Sequence, residues 1–131
     1  MSAIDAAALY AGLNLLILLA LAILVVRQRI KGRVMFGDGD HPALQRAIRA
    51  HGNAVENIPA SVAALVAAAL AGAPVWAIHA GGALLAISRV LHAQGLSTTE
   101  GRSFGRSAGM VGTWIAMILI AGAAVAAAVS P

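Results

Sequence analysis

The stretch LQRAIRAHGNAVENIPASVAALVAAALA, residues 44–71, decides how this chain is read: its first half is polar at helical spacing and its second half is almost wholly apolar. At about 100° per residue, Arg46, Arg49, Asn53, Glu56 and Asn57 point within an arc of roughly 100°. From Ile58 to Ala71 only Ser61 interrupts the apolar side chains, so the helix that carries the stripe runs on into a membrane span. Pro59 lies where the halves join and marks a place for a kink. Cations, amides and a carboxylate at the edge of a bilayer are costly unless they face protein or water. The stripe is therefore the first place to look for function.

Composition extends this reading to the whole chain. Of 131 residues, 60% are hydrophobic and 11% charged, far from the balance of a soluble domain. Spans of about 20 residues use up most of the length, so one small all-α bundle fits. The net charge of +4 comes from basic residues gathered at segment ends, and aromatic residues are only 4%. Orientation in the membrane explains that pattern more simply than nucleic acid, which is not an expected partner. With no cysteine, any thiol chemistry must use an imported thiol.

Four transmembrane helices are predicted, over about 5–28, 41–71, 74–95 and 104–129, in one domain covering 1–131. The first is apolar from Ala6 to Val26 except for Tyr10 and Asn14, then meets Arg27, Arg29, Lys31 and Arg33. Its charge follows the apolar core, unlike that of a cleaved signal peptide. KGRVMFGDGDH, 31–41, is a loop, after which Asp40 reads as the N-cap of the second helix with Pro42 in its first turn. Ala71 to Pro74 is a tight turn, and Trp76 suits the outer interface. A second basic loop holds Arg102 and Arg106. Both basic loops fall on one side, which puts them inside and both termini outside.

Arg27, Arg46, Arg49, Asn53, Glu56, Arg89, His92 and Arg106 come from all four helices and all fall near the inner ends. Such a basket suits an anionic ligand. The bland alternative pairs Arg49 with Glu56 and lets the other arginines snorkel to headgroups, a fate that explains the run 27–33 well but not an amide and a carboxylate on one stripe. His51 and His92 lack partners at ligand spacing, so no metal is expected. His79 reads as a hydrogen-bonded packing residue, and Asp38 and Asp40 as loop and cap residues. Gly101, Gly105 and Gly109 recur every four residues, which reads first as ordinary membrane packing and second as an oligomer seam. Neither an internal repeat nor the broken helices of an inverted-repeat transporter is visible.

RAHGNAVENIP at 49–59, SRVLH at 88–92 and GRS at 105–107 together resemble the MAPEG superfamily, the membrane-associated proteins of eicosanoid and glutathione metabolism. The resemblance runs from VVRQR at 25–29 through the fourth helix and is greatest to the small bacterial inner-membrane branch. It implies a four-helix protomer, a homotrimer, and glutathione as co-substrate, bound between neighbouring subunits and open to the cytoplasm. Carried over by position, Arg27, Arg49, Asn53, Glu56 and His92 match places that hold or support glutathione. Arg106 matches the arginine proposed to stabilise the thiolate, Ser107 is a further donor to it, and Arg89 looks like a structural arginine beside the site. Catalytic eicosanoid members have tyrosines after the helix-three histidine and the helix-four arginine, where this chain has Leu96 and Met110. Some members also carry a basic residue where this chain has Gly52.

The chemistry of the residues agrees with the resemblance. Glutathione has two carboxylates, an ammonium and a thiol, so several arginines with one carboxylate and an amide match it. A guanidinium near the sulfur favours thiolate over thiol. The expected function is a membrane glutathione transferase or peroxidase acting on hydrophobic electrophiles that arrive from the lipid. The alternative is a non-catalytic lipid-binding or scaffold protein of the same architecture. A small four-helix drug exporter is disfavoured, because helix one has no central acid.

Overall fold

Ser2 opens the first helix through a reciprocal cap: its hydroxyl accepts from the Asp5 N–H at 3.2 Å, and its own N–H donates to the Asp5 carboxylate at 2.9 Å. In the computed structural model, which describes residues 1–98, 101 and 103–130, this helix, α1, spans Ala3–Gly32. It runs past the predicted end at 28 because Arg29 and Lys31 fall in its last turn, where cations favour the negative end of the helix dipole. Arg33, in the left-handed region with φ 54°, closes it.

The second helix, α2, spans Pro42–Leu70, and its N-cap is His41, not Asp40 as the sequence suggests. Asp40 is itself left-handed, with φ 54°, and its N–H donates to Asp38 Oδ1 at 3.1 Å, so it belongs to the loop and cannot cap. The helix is unbroken through Pro59, although proline supplies no N–H to the Val55 carbonyl. On either side of Pro59, Asn57 Nδ2 donates to the Asn53 carbonyl at 2.8 Å and Ser61 Oγ to the Asn57 carbonyl at 2.7 Å.

After the turn at Gly72, with φ 89°, α3 spans Val75–Thr98 and α4 spans Phe104–Val129. Arg102, placed in the second basic loop by the sequence, lies outside the described residues. All four helices are long and apolar enough to cross a membrane. Two core clusters establish the up-and-down order. One joins Ala6 and Tyr10 at the start of α1 to Leu65, Ile78 and Ile120, and the other joins Leu21 near its end to Ala50, Ile58 and Leu96. Helices α2 and α3 each touch all the others, whereas α1 and α4 do not touch among the described residues. Leu15, Leu16 and Leu19 of α1 and Trp114 and Ile118 of α4 are left facing outward, as lipid-facing or subunit-facing side chains must.

Main chains approach closely between the inner end of α3 and the start of α4. A Cβ on Gly109 would strike the main chain of His92 and Ser88, one on Gly105 would lie 3.1 Å from the Leu91 carbonyl oxygen, and one on Gly95 would strike the Arg106 nitrogen. Gly105 and Gly109 thus serve packing within the protomer, while nothing lies within 4 Å of a Cβ at Gly101. In the outer half, Tyr10 Oη and His79 Nδ1 are 2.9 Å apart with their rings edge to face, which makes His79 the hydrogen-bonded packing residue expected.

Candidate functional site

The site is built on Arg89. It projects from α3 into the bundle with 0% exposure, and no carboxylate pairs with it among the described residues. Its guanidinium donates to Asn53 Oδ1 at 2.7 Å and to Thr113 Oγ1 at 3.3 Å, and it lies 3.1 Å from His92 Nδ1. Thr113 in turn donates to the Gly109 carbonyl at 2.7 Å, so its remaining lone pairs are what Arg89 sees.

These contacts set the polarity of their neighbours. A guanidinium has donors only, so His92 Nδ1 must accept and the ring proton sits on Nε2. Asn53 spends its carbonyl oxygen on Arg89, which leaves its Nδ2 group as the free end. A cleft of about 450 Å³ is lined by Asn53, His92, Arg106, Ser107 and Met110. Every nonmethionine side chain on that wall therefore offers a hydrogen-bond donor. Two guanidiniums and the positive end of α4 add electrostatic weight of the same sign.

Arg106 and Ser107 are placed by the α3/α4 crossing. Ser103 caps α4 by accepting from the Arg106 N–H at 3.3 Å, and its hydroxyl also lies 3.2 Å from the Gly95 carbonyl, to which it donates. The first turn of α4 is thereby tied to α3 one turn from His92. Sequence reading missed Ser103 and Thr113. The first carries a signal, a serine just before a long apolar helix; the second is one threonine among apolar neighbours and carries none.

One protomer brings together Asn53, His92, Arg106 and Ser107 from α2, α3 and α4. Arg49 and Glu56 stand exposed on the flank of α2, and the pairing between them does not form: neither has a side-chain partner among the described residues. The reason is angular. The buried residues Ala47, Ala54, Ile58 and Leu65 centre roughly 120° round the helix from the stripe, so Asn53 and Asn57 graze the core, Arg46 is half-buried, and Arg49 and Glu56 turn outward. Arg27 is exposed on α1, beside a separate cleft with Leu24, Gln28, Ile30 and Lys31. Of the two aromatic positions that this chain lacks, Met110 lines the site, whereas Leu96 is buried in the inner core.

Fold and site define a four-helix membrane protein with a donor-lined cleft at its basic end. The chain belongs to the MAPEG family, whose model matches residues 7–126. It is 41% identical over 113 residues to Inner membrane protein YecN of Escherichia coli strain K12, an alignment that covers 86% of this chain and 85% of that one. The same values hold for Inner membrane protein YecN of Escherichia coli O6:H1 strain CFT073. Like these relatives, the chain is an integral protein of the bacterial inner membrane.

Proposed function

We propose that this protein binds glutathione in the cleft at Asn53, His92, Arg106 and Ser107 and joins it through its sulfur to hydrophobic electrophiles dissolved in the membrane. The observation that carries the reading is Arg89, buried with no carboxylate partner among the described residues, beside a wall on which Asn53, His92, Arg106 and Ser107 all offer donors. A buried cation without a counterion is costly, and an anion in the adjacent cleft relieves that cost. The thiolate and carboxylates of glutathione are such anions.

In this reading Arg106 and the start of α4 stabilise the thiolate, and Ser107 donates a hydrogen bond to it. The thiol proton leaves to water. The sulfur lone pair then forms the C–S bond as the leaving group departs with its electron pair. With a hydroperoxide instead, sulfur attacks the O–O bond to release an alcohol, and a second glutathione gives the disulfide and water. The protein assembles as a homotrimer, in which a neighbour covers the flank of α2 and supplies further contacts. Arg27 and Arg49 then serve the carboxylates and Glu56 the ammonium. Exposed charge on a membrane helix supports this assembly, because a lone protomer would leave Glu56 against lipid.

Met110 favours a second reading, the non-catalytic lipid-binding or scaffold protein, since it puts a thioether where catalytic members have a phenol. Calorimetric titration of the detergent-purified protein with glutathione, beside turnover assays with an aryl halide and a lipid hydroperoxide, separates the two. Saturable binding with turnover is the expected result. Binding without turnover would favour the second reading, and no binding would remove glutathione from both.

A further inference from the structure

The loop between α1 and α2 presents apolar side chains to the outside at the basic end of the bundle. Phe36 is 92% exposed and Met35 84% exposed. Phe104, at the start of α4 and on the same end, is 87% exposed. The loop is held in this form by its own contacts. Arg29 donates to the Gly37 carbonyl at 2.9 Å and to the Met35 carbonyl at 3.4 Å, and the His41 N–H donates to the Asp38 carbonyl at 3.0 Å. Gly37, with φ 63°, and Gly39, with φ 57°, take backbone conformations that suit glycine. Val34 fills the space in front of Gly39, so the loop closes on Val34 and turns Met35 and Phe36 away.

Beside the tip lie three cations, Arg29, Lys31 and Arg33, and two acids, Asp38 and Asp40, so the charge is mixed with a small positive excess. Arg29 is committed to the loop carbonyls, which leaves Lys31 and Arg33 exposed. Of the two loop acids, Asp38 accepts from the Asp40 N–H, and Asp40 alone stands exposed. Apolar side chains flanked by free cations, where a bilayer's polar surface begins, match a layer with acyl carbon below and anionic phosphate above.

We propose that this loop is an anchor for anionic phospholipid in the inner leaflet: Met35 and Phe36 enter the acyl boundary while Lys31 and Arg33 contact the headgroup phosphates. The anchor would hold the inner end of α1 at a fixed depth. It is independent of glutathione binding, since none of its residues belongs to the cleft.

The absence of cysteine makes the test direct. Met35→Cys, which keeps Phe36, and Phe36→Cys, which keeps Met35, are each labelled with an environment-sensitive fluorophore. The full chain is placed in nanodiscs of phosphatidylcholine alone or with roughly one-third phosphatidylglycerol. The expected result is a blue-shifted emission in the anionic discs that is quenched by brominated acyl chains, with at least half of the shift lost in the Lys31→Gln, Arg33→Gln background. Circular dichroism of each variant verifies the fold. An aqueous emission in both kinds of disc overturns the proposal. So does a shift that survives loss of both cations, or one that resists brominated lipid, which would point to a second copy or a soluble protein instead.

Discussion

Asn53 is the residue at which structure and proposed chemistry meet, because one end of its amide is bound to Arg89 and the other faces the cleft. Asn53→Asp tests both ends at once. The new carboxylate is isosteric and would pair with Arg89, so the melting temperature in detergent should hold or rise. The cleft would lose a donor and gain a negative neighbour, so glutathione affinity should fall by about 10–100-fold, the size of one hydrogen bond to a charged group. Loss of fold together with affinity would show that Arg89 needs the amide itself. A second comparison sets Arg106 against Arg49. Arg106→Ala should reduce turnover far more than glutathione affinity, and Arg49→Ala the reverse, because a residue acting only on the activated state changes kcat alone. Steady-state kinetics beside equilibrium binding read the split, and equal losses in both would withdraw the assignment of Arg106.

At the scale of elements, the crossing of α3 and α4 is what holds the site together. Gly109→Ala would drive a methyl group into the main chain of His92 and Ser88, which cannot yield as a side-chain tip can. The helices must part, at a cost of about 1–3 kcal/mol, and the donors on the two sides of the cleft part with them. Gly101→Ala, with open space around it, should leave thermal stability unchanged. A silent Gly109→Ala in the same unfolding assay would mean that the crossing is looser than described. The helices themselves were legible from the sequence because span length, basic ends and proline positions all act locally. Asp40 was misread because capping depends on backbone conformation, and a left-handed residue puts its side chain out of reach of the helix start. Gly95 escaped notice for a different reason. It stands outside the four-residue glycine repeat and has meaning only through Arg106 on the next helix. Arg89 and His92 stand three residues apart on one helix, which the sequence shows, but that their contact leaves His92 Nε2 as a donor depends on a distance no sequence carries.

For the whole molecule, the protomer is unfinished as a membrane object. The flank of α2 carries Arg49 and Glu56 without side-chain partners among the described residues, and Arg27 of the same protomer lines a separate cleft. A homotrimer that buries the α2 flank resolves this, and mass measurement in mild detergent should find three chains. Only monomers in conditions that keep the fold would count against it. In the proposed function the donor-lined cleft holds the thiolate of glutathione. The most direct test is the ultraviolet difference absorbance of thiolate as the purified protein is titrated with glutathione at neutral pH. The expected result is a saturable thiolate signal that is lost in Arg106→Ala while binding remains. A folded protein that gives no thiolate signal at any glutathione concentration would contradict it.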